Sequence, residues 1–385
     1  MRRVGGSAGR RLGDSAARRL GDSATRLLGY SAPAAVCLSP LRPEVSLLAM
    51  SANQPSSLTA TQADASFRAA VRLLASLMPD AAIATGSEPP LESLAQSSEP
   101  PRTVDATIIE DGMMRSHRVF EPPIAQFAAF LDGTQLSRML HCCADGTPII
   151  HGTAAAVIRE RRNKRLYTRR HIVARRLYAN RRRVPDSLWT SLAESGISLR
   201  DTADEEGGQG PHPFASRDAA IHRLQRDRED AERDLAKEWC EREDRPLLID
   251  GGISGMESVA RSSCAVGVIK SHRTLYAERD ALVTTFALKR GERSSVFRVE
   301  FERRTPVASW YLRLRDRAGT DPMWGLVRVE VAHPDRVDER AIGARADEVS
   351  RWILAEATPV SLPDGRWDKM VYGVRDCEEF LRAVI

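Results

Sequence analysis

The segment Leu247-Leu-Ile-Asp-Gly-Gly-Ile253 places the strongest constraint on what this chain can fold into. Its apolar run predicts a buried strand, and the glycines after Asp250 predict that the strand ends there. An earlier run, Phe127-Ala-Ala-Phe-Leu-Asp-Gly133, has the same form and ends with Asp132. One Asp-Gly pair is ordinary turn chemistry, but two such strand ends can bring two carboxylates to one divalent metal site. We therefore expect Asp132 and Asp250 to lie together.

The composition excludes several classes of protein. At 385 residues the chain can bury a core, and no run approaches the roughly 18 apolar residues of a membrane-spanning helix. Its six cysteines form no Cys-x-x-Cys pair, which argues against a zinc site or a disulfide framework and favours a cytoplasmic location. No Gly-x-x-x-x-Gly-Lys motif is present, so ATP binding by a Walker-type loop is excluded.

The chain divides by composition into three parts. Residues 1–49 contain a Gly-, Ser- and Arg-rich octad repeat with little apolar surface, which predicts disorder. This part is either an organelle transit peptide or a non-native extension upstream of a true start at Met50. Residues 50–103 contain one short helical pattern, Ser66 to Leu77, and a Ser- and Pro-rich linker. Residues 104–385 are the predicted compact domain.

Within this domain, strand and helix patterns alternate. A strand over Gln126 to Leu131 is expected to pair as a hairpin with Thr147 to Ile158. A helix from Ser216 to Glu241, with Ser216 as N-cap, leads into the Asp250 strand. The remaining elements are strands over Ala265 to Lys270, Val296 to Glu302, Ser309 to Arg315 and Gly325 to Val331, a helix over Asp347 to Glu356, and a strand-to-helix transition around Tyr372. This order predicts an α/β fold with a mixed sheet flanked by helices.

Further carboxylates could complete the site of Asp132 and Asp250. Glu232 lies on the edge of the apolar stripe of its helix, with Glu229 and Glu238 as alternatives, and the C-terminal segment offers Asp376 or Glu378. Such an all-oxygen set suits Mg²⁺ or Mn²⁺, and clustered carboxylates repel each other unless a cation is present. Two ions about 3.5–4 Å apart can hydrolyse a phosphodiester by activating water and stabilising the leaving oxygen.

Basic residues suggest how a phosphate-rich substrate would be held. Lys270 would supply a fixed positive charge near the scissile phosphate, and His272 or Tyr372 would position water or phosphate. The segment Arg159 to Arg183 mixes arginines with aromatic residues, which is typical of a nucleic-acid groove but equally of a solvated helix with packed tyrosines. The candidate DNA contacts are Arg169, Arg170, His171, Arg175, Arg176 and His272.

Taken in order, these motifs resemble the NurA family of DNA-end-processing nucleases. The motifs are Phe130-Leu-Asp-Gly-Thr134, Leu247 to Ile253, Val266-Gly-Val-Ile-Lys-Ser-His272, the strands at Ser309 to Leu314 and Val327 to Glu330, and Tyr372-Gly-Val-Arg-Asp-Cys-Glu378. The resemblance implies an RNase H-like core and a manganese-dependent nuclease that acts on DNA. It also implies a homodimer that docks on a hexameric HerA-type ATPase.

The resemblance also assigns roles to individual residues. It implies that Asp132 and Asp250 bind metal, that Glu232 is the family's helix glutamate, and that Tyr372 is its terminal tyrosine. The family continues with Tyr-Pro and a later Ala-His or Ala-Asp pair, whereas here Gly follows the tyrosine and Cys377-Glu378 replaces the pair. The last ligand is therefore either Glu378 or Asp376.

We expect a metal-dependent deoxyribonuclease that works with a HerA-type ATPase in DNA-end resection or antiphage defence. One alternative is a weakened DNA-binding or regulatory subunit of such a complex. Another is an unrelated RNase H-like enzyme that cuts RNA, although no guide-binding domain fits in this length.

Overall fold

The computed structural model describes residues 60–78, 100–205, 212–300, 302, 304–316, 321–334, 336, 338–357 and 371–385. All of these residues belong to one compact unit, Gln54–Ile385. The octad repeat, the predicted start at Met50 and most of the predicted linker lie outside the described residues.

Across the described ranges the chain forms seven α-helices, fourteen strands and a short 3-10 helix at Ala203–Glu205. In chain order they are α1 (Ala60–Leu77), β1 (Arg102–Thr103), β2 (Thr107–Ile108), β3 (Ser116–Arg118), β4 (Ala129–Cys142), β5 (Pro148–Arg162), β6 (Arg165–Ala179), α2 (Asp186–Glu194), β7 (Leu199–Asp201), α3 (Pro213–Arg242), β8 (Leu247–Asp250), α4 (Glu257–Ala260), β9 (Ala265–Ile269), β10 (Thr274–Leu275), α5 (Arg279–Ala287), β11 (Glu292–Ser294), β12 (Phe297–Val299), β13 (Val307–Arg313), β14 (Leu326–Ala332), α6 (Glu339–Glu356) and α7 (Tyr372–Val384).

A mixed sheet of 12 strands forms the centre of the fold. Its middle runs β6-β5-β4-β8-β9, in which β4, β5 and β6 are antiparallel and β8 and β9 continue parallel to β4. Beyond β9, the strands β14, β13, β12 and β2 extend the sheet with antiparallel pairing. This order confirms the predicted RNase H-like mixed sheet flanked by helices.

Alternation along the strands divides the core between the two faces of this sheet. Phe130 and Leu248 face α6 and α7, whereas Leu131 and Ile249 face α3. Both faces are covered because successive side chains of each strand are apolar and point to opposite sides. Asp132 and Asp250 follow the alternation of Phe130 and Leu248, so both belong to the α7 face.

The predicted hairpin is confirmed, but the predicted end of its first strand is wrong. Asp132 and Gly133 do not form a turn, because β4 continues through them to Cys142 and pairs with β5 along its whole length. The turn comes at Gly146, where φ is 83° and glycine is favoured. Fifteen residues of β5 offer backbone partners to β4, which is enough to override the local turn preference of Asp-Gly.

Two further expectations needed correction. The alternative of a solvated helix for the basic segment is wrong, because most of this segment is β6, which pairs antiparallel with β5. Helix α3 begins at Pro213 rather than at Ser216, and its cap is His212, whose Nδ1 accepts a hydrogen bond from the Phe214 N–H at 3.2 Å. Proline suits the first helical position because its φ is preset and it has no N–H to satisfy.

Helix α1 belongs to the compact unit. Its buried residues Ala70 and Leu74 pack with Leu140, Ile149 and Leu177 on β4, β5 and β6. The strand β1 pairs with β10, so the segment before residue 104 also contributes to the fold.

Candidate active site

Three carboxylates converge on the α7 face of the sheet. The last paired residues of the parallel strands β4 and β8 are Leu131 and Ile249, so Asp132 and Asp250 follow at the same level. Glu378 of α7 completes the group, and one oxygen from each of the three residues lies within 4.8 Å of the others. The structure thus brings together residues that are up to 246 positions apart in sequence (378 − 132).

The close approach of α7 to β4 places Glu378 in this group. A Cβ at Gly373 would lie 2.2 Å from the ring of Phe130, so only glycine allows the first turn of α7 to approach this closely. Val374, Cys377 and Leu381 then anchor one stripe of the helix in the core. Glu378 lies on the same stripe, four residues after Val374, and therefore points towards the sheet.

Asp132 lies in a setting that disfavours its negative charge. It is 8% exposed, and its Oδ1 accepts a hydrogen bond from the Gly133 N–H at 2.8 Å. Burial raises the pKa of Asp132 to about 8, and the charges of Asp250, Glu232 and Glu378 add to the rise while Lys270 opposes it. Such a carboxylate is stabilised by any cation that enters the group.

Cations already lie beside the other two carboxylates. The Lys270 Nζ donates to Asp250 Oδ2 at 2.9 Å, which confirms that the strand end of β9 lies next to that of β8. Glu378 has Arg375 at 3.3 Å and Arg382 at 3.6 Å, both on its own helix. Among the described residues no ion pair reaches Asp132. Of the three carboxylates, Asp132 is therefore the one whose negative charge is least compensated.

Glu232 approaches the same position from the α3 face. A Cβ at Gly133 would lie 2.1 Å from Glu232 Oε1, so the glycine after Asp132 leaves the space that the glutamate occupies. Glu232 also forms an ion pair with Arg228, one helical turn earlier. Burial raises the pKa of Glu232 to about 7, although Arg228 opposes this rise.

A cavity of about 340 Å³ opens beside these groups on the α3 side. Glu232, Asp250 and the glycine-rich turn after β8 line it, together with the buried Glu330 of β14. Glu330 Oε2 accepts a hydrogen bond from the Ile253 N–H at 2.8 Å and therefore holds the turn that follows Asp250. Glu330 is a positioning residue for the site.

The donor set fits a divalent cation. Three carboxylates that can each offer an oxygen within 4.8 Å of the others make a hard, all-oxygen set, and such sets suit Mg²⁺ or Mn²⁺. Burial is the main cause of the raised pKa of Asp132, and repulsion by the neighbouring carboxylates adds to it. Asp132, Asp250 and Glu378 would hold the ion, and Glu232 lies at the edge of the group.

The other predicted residues Asp376, Tyr372 and His272 are not among the three residues of the carboxylate group. Asp376 forms an ion pair with Arg159, so of the two candidates for the last ligand only Glu378 joins the group. Tyr372 begins α7, six residues before Glu378, which is about 9 Å along the helix axis and on a different face. His272 donates through Nε2 to the Leu326 carbonyl at 2.8 Å, and this bond ties it to β14.

The candidate DNA contacts on β6 are largely committed to the fold. Arg176 is paired with Asp227 at 2.7 Å, and Arg175 donates to the Val384 carbonyl at 3.0 Å. His171 packs edge-on against Phe380, with ring centroids 5.5 Å apart, and burial lowers its pKa. Arg169 and Arg170 are exposed. Arg169 pairs with Glu243, the C-cap of α3, and Arg170 pairs with Glu238 of α3. Their role in DNA binding stays a prediction.

Sequence reasoning left the roles of two residues unrecognised. Arg228 stands out in the sequence only as an interruption of the α3 apolar stripe, yet its spacing of four residues from Glu232 indicates the observed ion pair. On β14, Arg328 and Glu330 point to one face of the sheet, and Val329 and Val331 point to the other. This pattern indicates a polar patch on the face of Arg328 and Glu330. Neither of the alternatives belongs to the three-carboxylate group. Glu229 pairs with Arg228 and lines the adjoining cavity, whereas Glu238 pairs with the exposed Arg242.

Comparisons with known proteins give structural neighbours but no family assignment. No protein-family model and no curated protein matches the chain. The NurA nuclease from Sulfolobus solfataricus is similar with 13% identity and a TM-score of 0.38, over 68% of this chain and 81% of that one. The catalytic domain of human endonuclease V is similar with 15% identity and a TM-score of 0.27, over 69% and 85%. Similarity at this level does not indicate a function for this chain. Among the described residues no helix is long and apolar enough to cross a membrane.

Proposed function

We propose that this protein is a metal-dependent nuclease that hydrolyses phosphodiester bonds in DNA. The observation that carries the proposal is the convergence of Asp132, Asp250 and Glu378, whose oxygens lie within 4.8 Å of one another. Burial and the neighbouring carboxylates raise the pKa of Asp132, and Lys270 only partly opposes this rise. A buried site of this kind is costly without an ion, so its geometry favours ion binding over a purely structural role.

The residues around the group suit phosphodiester hydrolysis. A bound divalent ion would supply Lewis acidity and an activated water. Lys270, fixed by Asp250, places a positive charge beside the reacting phosphate, where charge develops in the transition state. Glu232 lines the adjoining cavity and can accept a hydrogen bond from water there. Glu330 keeps the turn after Asp250 in place, which fixes the orientation of that carboxylate.

The resemblance of the motifs to the NurA family supports a more specific proposal. In this proposal the chain is a homodimer in the cytoplasm, binds one or two ions of Mn²⁺ or Mg²⁺, and processes DNA ends together with a hexameric HerA-type ATPase. Its biological role would be end resection or antiphage defence. These features rest on the order and spacing of motifs from Asp132 to Glu378 in the sequence.

The proposal is tested by measuring digestion of linear DNA by the purified protein with Mn²⁺, Mg²⁺ or EDTA. We expect metal-dependent digestion by the wild type and its loss in Asp132→Ala and Asp250→Ala. Titration of Mn²⁺ by calorimetry should show weakened binding in both variants. Asp230→Ala is a matched control, because Asp230 is an exposed α3 aspartate paired with Arg233 at the surface.

Failure of the wild type to digest DNA, even with a HerA-type ATPase and ATP, would overturn the catalytic proposal. A DNA-binding or regulatory subunit is then the second candidate. The observation that favours it is that Lys270 and Arg228 already pair with Asp250 and Glu232. DNA binding without cutting in any metal would support this second candidate.

A further inference from the structure

A second cavity, of about 320 Å³, adjoins the one beside Asp250. The two cavities share four lining residues, Ile269, Tyr276, Arg304 and Arg328, so they form one continuous cleft. The end near Asp250 is lined by both carboxylates and arginines. The other end, which we call the basic cleft, is lined by Arg102, Arg273, Arg304 and Arg328 together with the hydroxyl residues Ser271 and Thr274. This basic cleft has four arginines and no acidic residue among its described lining residues.

The fold builds the basic cleft from distant parts of the chain. The short parallel pair of β1 and β10 forms one wall, where Arg102 Nε donates to Thr274 Oγ1 at 3.3 Å. Tyr276 lies deeper, 5% exposed, and its ring stacks on Phe297 with centroids 5.7 Å apart. The Arg328 guanidinium covers this ring at 4.8 Å and pairs with Glu330 at 2.6 Å. The base of the cleft is therefore rigid.

The groups at the rim suit phosphate. Arg102, Arg273 and Arg304 are exposed, and guanidinium groups match the geometry of phosphate oxygens. The hydroxyl groups of Ser271 and Thr274 are the kind of donor that contacts a nucleic-acid backbone without regard to sequence. A polyanionic strand with one phosphate at the carboxylate group would be attracted at its neighbouring phosphates by this rim.

We propose that the basic cleft binds the phosphate backbone of the DNA strand on one side of the bond to be cut. This inference rests on the proposed function, because the DNA strand held in the cleft is the one that the carboxylate site would cut. It places the main phosphate contacts at Arg102, Arg273 and Arg304 and not on β6. Arg328 and Tyr276, which border both cavities, mark the point where the strand passes from one to the other.

The test is binding of a labelled single-stranded oligonucleotide in EDTA, measured by fluorescence anisotropy at several salt concentrations. We expect the triple variant Arg102→Gln/Arg273→Gln/Arg304→Gln to bind at least about tenfold more weakly at low salt. The slope of log affinity against log salt should fall by roughly 2, since each lost phosphate contact on a single strand removes about 0.7. Exposed positions were chosen so that the variant keeps its fold.

A second triple variant with the same charge change provides the control. Arg72, Arg261 and Arg290 are exposed and lie outside the lining of the cleft, so their replacement by Gln should leave affinity and slope unchanged. An unchanged slope in the cleft variant would overturn the proposal, as would equal losses in the two triple variants. Displacement of the oligonucleotide by low concentrations of inorganic phosphate at constant ionic strength would indicate a free-phosphate site and would also overturn it.

This measurement separates the inference from the proposed function. Binding in EDTA requires no cleavage, so a cleft that binds DNA can be found even if the wild type cuts nothing. If the wild type does cut, the cleft variant should show a raised KM with little change in kcat, because its arginines bind ground state and transition state alike. Loss of kcat without a change in KM would contradict the assignment of these arginines to strand binding.

Discussion

The clusters around Asp227 and around Asp132 are both buried against the same sheet, but their charges balance in opposite ways. Asp227 of α3 accepts hydrogen bonds from the Tyr178 hydroxyl and from Arg176, each at 2.7 Å. Arg223 and Arg200 lie at 3.3 and 3.6 Å from its oxygens. One carboxylate there is shared by three arginines and a tyrosine.

The Asp132 cluster has a different balance. Three carboxylates meet there. Lys270 pairs with Asp250, and Arg375 and Arg382 lie beside Glu378, but among the described residues no ion pair reaches Asp132, and burial raises its pKa to about 8. A carboxylate surrounded by cations and donors is satisfied within the fold, whereas carboxylates that repel one another need a cation from outside. The comparison indicates that a segment rich in arginine can have a purely structural role. Carboxylates that are far apart in sequence can instead come together as a metal site. Four changes test it.

The largest effect is expected from removing one of the three carboxylates. Glu378→Gln should lower metal-dependent cleavage by more than the roughly 10–100-fold that is typical for lost partners of metal ligands. Asp376→Asn, two residues away, should change it only slightly, because Asp376 is paired with Arg159 outside the group. Cleavage rates at saturating Mn²⁺ distinguish the two, and a larger loss in Asp376→Asn would contradict our assignment of the last ligand.

Disrupting the Asp227 cluster should lower the stability of the fold and leave metal binding unchanged. Asp227→Asn leaves Arg176 and its neighbours without their buried carboxylate, which should lower the free energy of unfolding by about 3 kcal/mol. Urea denaturation measures this loss. The exposed pair of Asp230 and Arg233 is the control, and Asp230→Asn should cost less than about 1 kcal/mol. A loss of Mn²⁺ affinity in folded Asp227→Asn would show that the clusters are not independent.

A methyl group at Gly133 should disturb the point where the two faces of the sheet meet. Its Cβ would lie 2.1 Å from Glu232 Oε1, so Gly133→Ala should cost about 2 kcal/mol of stability through overpacking. Adding Glu232→Ala to this variant should restore part of the loss, because the clash is then removed. Thermal unfolding of both single variants and the double variant gives the coupling between them. Additive effects would place Glu232 away from Gly133.

The smallest effect concerns a histidine among arginines. Burial, with Arg175 and Arg138 adding to it, lowers the pKa of His151 to about 4 from its ordinary 6.5. Because the folded state binds this proton less readily than the unfolded state, stability is fully present above pH 6.5 and falls as the pH drops towards 4. By pH 5 the loss should be about 1–2 kcal/mol.

The variant His151→Gln should remove this part of the pH dependence, as measured by urea denaturation at pH 7.5 and pH 5. Phe67 packs edge-on against the His151 ring, so the variant is compared with itself at the two pH values and not with the wild type at one. The exposed α3 residue His222 is the control, and His222→Gln should keep the pH dependence of the wild type. Retention of that dependence in His151→Gln would exclude His151 as its source.

Local patterns predicted much of the fold. Two apolar runs predicted the hairpin of β4 and β5, and period-two alternation predicted the later strands. The apolar stripe predicted α3 to within a few residues at each end. The end of β8 at Asp250 followed from its glycines. The end of β4 did not follow from the same motif, because a partner strand supplied backbone hydrogen bonds beyond Gly133. The bounds of strands depend on such partners, which are distant in sequence.

By itself the sequence determined the mixed α/β order of elements and the meeting of Asp132 with Asp250, because apolar patterns and adjacent strand ends are nearly local properties. Only the tertiary structure decided that Glu378 and not Asp376 joins them, through the packing of Gly373 against Phe130. It also decided where the arginines lie. Those of β6 lie beside acidic residues of α3, whereas those of the basic cleft come from separate segments and face a cavity. Charge density along a chain is local, but charge balance at a site depends on which distant segments the fold brings together.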